Sequence, residues 1–355
     1  MRDLILMNKI KRIIHSIALL LLVVFILQGC GNKAESVTAS VDKDDSKEEI
    51  QIGIAFDSFL IERWERDRDI FVSRARDLGA EVNVQNANGD VQKQKDQIKY
   101  LIDKKMDVIV IVAVDSSELK KEVKEAQDAG IKVVAYDRLV MDSPVDLYIS
   151  FDNEMVGKFM ADAIMAELPD GGQVMKINGP SKDNNVSLVN KGFDDEIKGH
   201  GIVVFDTYYA AEWKGEEAFN YLTENPQKAD KADAVMCGND SLAGQAVRYY
   251  SEKRRAGRIP IVGQDADLDA CQRIVEGTQT MTVYKSIEQL AKRAAEAAVS
   301  LAKGNNIADA AEIENGSFEV PYVSIPPVMV TKDNIDSVII DSGFHLREDV
   351  YLKER

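Results

Sequence analysis

From Ile50 onward, short runs of β-branched and aromatic residues alternate with longer stretches whose apolar positions repeat at helical spacing. Strands are predicted for the first pattern and amphipathic helices for the second, and their repetition every 25 to 30 residues or so predicts βαβ units around a parallel sheet. The strands fall at Ile50–Phe56, Glu81–Gln85, Asp107–Val114, Lys132–Tyr136, Leu147–Phe151, Gln173–Ile177, Ile202–Tyr208, Ala232–Met236, Ile259–Gly263 and Met281–Tyr284. Helices are predicted over Ile61–Leu78, Val91–Lys105, Ser117–Ala129, Glu154–Leu168, Leu188–Lys198, Glu212–Thr223, Leu242–Glu252 and Ile287–Lys303, with Gly79, Gly130 and Gly304 as C-terminal stops. So many strands exceed one sheet and one core, which predicts an α/β chain of two successive doubly wound domains breaking near Asp152–Asn153. The helix from Ile287 and the strand-like segment Val320–Val330 are too little for a third domain. They are expected to complete the two sheets already begun, so the chain crosses between domains more than once.

The N-terminus follows a different pattern. Lys9, Lys11 and Arg12 precede an apolar run from Ile17 to Leu27, and LQGC follows at Leu27–Cys30. A basic stretch and a short apolar run read as an export signal, too short for a comfortable membrane span. The LQGC ending resembles a bacterial lipobox, with Gln28 atypical within it, which makes Cys30 the expected lipid attachment site. Residues 1–29 are therefore expected to be a signal peptide, and 30–48, polar and without periodicity, a lipid-anchored flexible linker.

Charge and chemistry narrow the class of partner. The chain carries a net charge of −16, which argues against nucleic acid. Beyond Cys30 the cysteines are Cys237 and Cys271, both in apolar or helical sequence and expected to be buried free thiols. No metal-ligand spacing and no glycine-rich phosphate loop is present, so neither metal nor cofactor is expected. No nucleophile motif accompanies the histidines, and no catalytic residue is assigned. Asp57, Asp137, Asp183 and Asp265 could supply the carboxylate pair of a glycosidase, yet each sits beside Arg, Asn or Lys, company that suits holding a ligand.

Polar residues recur just past the strands: Asp57 with Arg63–Trp64 beyond it, Asp137–Arg138, the loop Asn178–Asn185, Asn239–Asp240, Gln264–Asp265 and Lys285. In an open α/β sheet that edge lines the ligand crevice. Carboxylates, amides and guanidinium groups hydrogen-bond hydroxyls, while an indole face packs on ring C–H groups. With Trp64 in one half and Trp213 in the other, the set suits a neutral polyhydroxylated ligand, most simply a sugar.

The motifs GIAFDSFLIERWERDRDIF, KVVAYDRLV, DLYISFDNEMVG, PSKDNN, CGNDSLAG, GQDAD and GTQTMTVYK together resemble the xylose-binding members of the periplasmic sugar-binding protein family, from about Ile50 to about Phe344. The resemblance implies the type I fold: two Rossmann-like lobes, here 49–152 with 286–325 and 153–285 with 326–355, joined by three crossovers and closing over one monosaccharide. It implies ligand contacts at Arg63, Trp64, Asp137, Arg138, Asp183, Asn185, Trp213, Asn239, Asp265 and Lys285, with Asp57 and Asn184 as flanking candidates. It further implies a non-enzymatic receptor for D-xylose, anchored on the outer face of the cytoplasmic membrane. Such a receptor serves either the permease of an ABC importer or a sensing histidine kinase. The stretch TYYAAEW before Trp213 and the extension past Phe344 depart from the family's pattern.

Overall fold

The computed structural model describes residues 49–60 and 63–352; the expected signal peptide, the linker and Cys30 lie outside the described residues. The first sheet starts with β1 (Ile50–Phe56), β2 (Ala80–Asn86), β3 (Val108–Ile111), β4 (Lys132–Tyr136) and β5 (Leu147–Phe151). The strand order is β2-β1-β3-β4-β5, all parallel, extended by β12 (Glu319–Ile325) parallel to β5 and by β11 (Ala311–Glu314) antiparallel to β12. The second sheet places β7 (Ile202–Tyr209), β6 (Gly172–Asn178), β8 (Ala234–Cys237) and β9 (Ile261–Val262) in parallel, in the order β7-β6-β8-β9. A bridge from Val262 to Met281 leads to β10 (Thr282–Tyr284), which pairs antiparallel with β13 (Val328–Val330).

Helices cover both faces of each sheet, as continuous Val/Ile-rich parallel strands require. On the first sheet, α1 (Arg63–Asp77) and α10 (Ile287–Ala302) bury Phe71, Leu290 and Ala294 against Ile52, Val110 and Ile149. The opposite face is covered by α2 (Val91–Asp103) and α3 (Lys120–Asp128), through Ile98, Leu101 and Val123. On the second sheet, α4 (Asn153–Glu167) and α5 (Asn184–Glu196) pack Met160, Ile164 and Phe193 on Val174 and Met236, while α6 (Glu216–Glu224) and α8 (Asp240–Glu252) pack Leu222 and Leu242 on Met175 and Val235. The short α7 (Pro226–Lys231) joins that face through Ala229, and α9 (Leu268–Glu276) and α11 (Arg347–Val350) enclose a small cluster of Cys271, Ile274, Ile339 and Val350. The chain passes between the sheets three times: after β5, after β10 and after β12.

This is the type I periplasmic binding fold of two doubly wound sheets. Where it differs from the periodicity, local chemistry explains the difference. The helix expected from Leu188 starts at Asn184, because the Asp183 side chain accepts the Asn185 N–H at 3.0 Å and caps the helix there. The helix expected from Glu212 to Thr223 starts four residues later, as α6 at Glu216, because Glu212 and Trp213 stand at φ +51° and +59° in a 3₁₀ turn. Strand β3 stops at Ile111 although the apolar run continues to Val114. The helices α7, α9 and α11 and the edge strand β11 were not expected; α7, α11 and β11 have only 6, 4 and 4 residues, too few to show a repeating pattern. Cys237 and Cys271 are buried free thiols.

Candidate functional site

Each sheet delivers its chemistry through the residues that end its strands and open its helices. Asp152, Asp183, Asn239 and Ser286 cap α4, α5, α8 and α10 with their side chains, so these four turns into a helix share one polar construction. All ten residues expected to contact ligand line one cavity between the two sheets, together with Asn153 and Gln264. Asp57 lies beside it, in an adjoining groove, and Asn184 is not among the lining residues. The sequence marks Gln264 at its strand end without a ligand contact and Asn153 only as part of the expected domain break; both stand inside the motifs quoted above. Their signal was the strand-edge position itself.

The adjacent charges Asp137 and Arg138 do not form a surface pair. Both are buried, and each turns to other partners. Arg138 reaches Asp57 Oδ2 at 2.5 Å, Asp183 Oδ2 at 2.8 Å and the Ala113 carbonyl at 3.1 Å. Burial works against its charge, and the carboxylates of Asp183, Asp57 and Asp137 more than offset that, holding the guanidinium above its usual range. Asp183 is pushed up by burial, opposed by Arg138. Arg63 binds Asp67 through two bonds at 3.1 and 3.2 Å, and its Nη2 lies 3.1 Å from Asp137 Oδ2. Asp67, fully buried, also accepts the Tyr136 hydroxyl; burial pushes its carboxyl up and Arg63 opposes. Each guanidinium is therefore fixed by two carboxylates before any ligand is considered.

Asn185, from the second sheet's side, donates Nδ2 to the carbonyl and the Oδ1 of Asp137 at 3.1 and 2.9 Å, and its Oδ1 accepts from Asn153 at 3.1 Å. Lys285 bridges Gln264 Oε1 at 2.9 Å and Asp265 Oδ1 at 2.6 Å. Asn239 uses Oδ1 to accept the Leu242 N–H at 2.9 Å and so caps α8; Nδ2 has no partner among the described residues. Trp64 lies under the guanidinium groups of Arg63 at 4.5 Å and Arg138 at 5.7 Å. Trp213 lies against Gly179, where a Cβ would come 2.5 Å from the indole, so only glycine admits the ring there.

Several polar atoms of these lining residues are buried without a hydrogen bond among the described residues: Nε1 of Trp64, Nε1 of Trp213, Oδ2 of Asp137 and Oδ1 of Asp265. The two carboxylate oxygens do have cations within ion-pair distance, at 3.1 and 2.6 Å, without hydrogen-bond geometry. Orphaned buried polar atoms are rare in native proteins and costly, and their concentration around one cavity marks a place for a polar ligand. The cavity volume is about 30 Å³, less than any sugar ring fills. A ring enters only if the two walls part. Among the described residues there is no cluster of metal-ligating side chains.

Comparison with known proteins agrees with this geometry. A family model described as the periplasmic binding protein domain matches residues 52–306. The chain is 43% identical over 309 residues to the D-xylose-binding periplasmic protein of Haemophilus influenzae, covering 85% of this chain and 92% of that protein. It is 41% identical over 308 residues to the D-xylose-binding periplasmic protein of Escherichia coli, covering 85% and 93%. Among solved structures, an ABC transporter solute binding protein from Clostridium phytofermentans with bound β-D-glucose is similar with a TM-score of 0.76 at 28% identity, covering 84% of this chain and 99% of that one.

Proposed function

Because the chain belongs to the periplasmic binding protein family, we propose that it captures D-xylose, or a monosaccharide with the same hydroxyl pattern, between two closing lobes outside the cytoplasm. The observation that carries this reading is the ring of orphaned polar atoms and paired charges around one cavity, with an indole from each side. Asp137, Asp183, Asp265, Asn185, Asn239, Arg63, Arg138 and Lys285 bind the hydroxyls, and Trp64 and Trp213 pack on the C–H faces of the ring. The lobes are 49–152 with 286–325 and 153–285 with 326–355, and the three crossings form the hinge.

The sugar meets one wall first, and bonds from the other wall form only on closure, so binding shifts the population to the closed form. Direct bonds between the walls assist: Asn185 to Asp137, Arg138 to Asp183, and Ser116 N and Oγ to the Lys182 carbonyl at 3.3 and 3.0 Å. A sugar with a misplaced hydroxyl leaves buried groups unpaired, which is the basis of selectivity. The closed form is then presented to the permease of an ABC importer, with Cys30 as lipid anchor and 30–48 as the tether.

A thermal-shift and calorimetric screen of the exported portion against pentoses and hexoses tests the ligand. D-xylose should raise the melting temperature most, since a ligand of the folded state stabilises it by mass action. No shift with any sugar would remove the reading. Co-purification from membranes tests the partner: a permease is expected, and a histidine kinase in its place would assign the sensing role.

A further inference from the structure

The turn that carries Asp265 to the cavity is strained. Asp265 and Ala266 stand in succession at φ +102° and +54°, values that cost a residue with a Cβ energy and persist only where neighbours hold the backbone. Two side chains outside the cavity hold it. Asp240 Oδ2 accepts the Asp267 N–H at 3.1 Å and the Thr282 hydroxyl at 2.6 Å, and the Thr282 hydroxyl in turn accepts the Ala266 N–H at 3.1 Å. Asp240 Oδ1 accepts from Gln279 at 2.8 Å, so both oxygens of the carboxyl are engaged. Asp240 and Thr282 are buried, and neither lines the cavity. A Cβ at Gly263 would collide with Asp240 Oδ1, so the end of β9 is shaped around this one group. Asp240 follows Asn239 at the start of α8, Asp265 follows β9, and Thr282 opens β10, which ends at the residue before Lys285. The three segments that deliver Asn239, Asp265 and Lys285 to the cavity therefore meet at a single buried carboxyl.

We propose that Asp240 and Thr282 are positioning residues for the bound sugar: they fix the turn Asp265–Asp267 so that Asp265, with Lys285 beside it, meets a ligand hydroxyl at a set distance and angle. The proposal rests on the sugar-binding reading above. Lys285 Nζ lies 2.6 Å from Asp265 Oδ1, so a shift of the turn displaces both ligand groups together. Without the Thr282 hydroxyl the buried Ala266 N–H loses its acceptor, which is costly, and the turn relaxes toward an unstrained backbone that carries Asp265 away from its place. The affinity gained from a carboxylate already in position is then lost, because binding itself has to order the turn.

Calorimetry with D-xylose on the wild type, Thr282→Val, Thr282→Ser and Asp240→Asn tests it, with melting temperatures to show that each variant is folded. Tyr250→Phe serves as the control, since it removes a buried hydrogen bond, to the Ala229 carbonyl at 2.9 Å, from the far end of α8. Thr282→Val and Asp240→Asn should each raise the dissociation constant about tenfold or more, and Thr282→Ser, which keeps the hydroxyl, should stay within about threefold of the wild type. Tyr250→Phe should lower the melting temperature and change affinity by less than about twofold. Wild-type affinity in a folded Thr282→Val overturns the positioning role, as does failure of Thr282→Ser to restore binding. An equal loss of affinity in Tyr250→Phe also overturns it, because the effect would then be one of general stability. Should Asp240→Asn fail to fold, the two Thr282 variants decide alone. Absence of binding by the wild type is a different result, because it overturns the reading of the ligand and the positioning role with it.

Discussion

Asp137 stands at φ +61°, a conformation that costs a non-glycine residue energy and persists only when its surroundings hold it. Here its carbonyl accepts from Tyr148 at 3.0 Å, Ser150 at 2.7 Å and Asn185 at 3.1 Å. Asparagine tolerates the same backbone, so Asp137→Asn isolates the charge that faces Arg63. Its D-xylose dissociation constant should rise more than tenfold, about 1.4 kcal/mol, in calorimetry, with little change in melting temperature. Asn239→Ser retains the helix cap and removes the amide, so affinity should fall while stability holds; equal loss of both would show that Asn239 is a cap alone. Asp240 is a different case. Burial pushes its carboxyl up to about 7, although Thr282 and Gln279 donate to it at 2.6 and 2.8 Å. An acid whose folded value is raised takes up protons on folding, so its contribution to stability is present at low pH and is lost as pH rises from about 4 to about 7, by up to about 1.4 kcal/mol per pH unit. Asp67 and Asp183 are shifted in the same direction. The urea midpoint should therefore be higher at pH 5.5 than at pH 7.5, and Asp240→Asn should flatten that slope. An unchanged slope in the variant would exclude Asp240 as its source.

At the scale of elements, α4 and α5 show how the second sheet presents Asp183 and Asn185. A Cβ at Gly157 would lie 2.0 Å from the Val189 carbonyl, and one at Gly192 would lie 2.0 Å from the Glu154 carbonyl, so the two helices touch backbone to backbone. Neither contact can relax by a side-chain rotation. Gly157→Ala should lower the unfolding free energy by about 1–3 kcal/mol, measured by urea denaturation, because it drives the helices apart. Sugar affinity should fall with it, since α5 carries Asn185 across to Asp137. The turn that carries Trp213 is the opposite kind of element: a short strained segment, set by tertiary contact with Gly179.

For the whole molecule, function resides in the relation between two sheets. The chain has two tryptophans, and both line the cavity. Intrinsic fluorescence should therefore change saturably with D-xylose, and small-angle scattering should show a smaller radius of gyration at saturation, as hinge closure requires. A fluorescence change with no change in radius would mean that binding occurs without closure.

Strands such as Ile50–Phe56, Lys132–Tyr136 and Leu147–Phe151 were legible to the residue, because buried parallel strands are written as mostly apolar runs, rich in β-branched and aromatic residues, closed by a polar residue. The same edge rule brought Asp137, Arg138, Asn239 and Lys285 into view, since the polar residue ending a buried strand must sit at the carboxyl edge of the sheet, where the ligand crevice lies. What sequence left undecided is pairing: that Arg138 would turn from Asp137 to Asp57 and Asp183, that Asn185 would bridge to the other sheet, and that Asn153 and Gln264 would face the cavity. These partners lie tens of residues apart, and no local period encodes which strand edges meet. The left-handed turn at Trp213 was hidden for the same reason, because the indole packs on Gly179, in the loop that follows β6. Local chemistry along the chain determined the elements and the edge on which their polar residues fall; the crossing of the chain between two sheets decided which of those residues face one another.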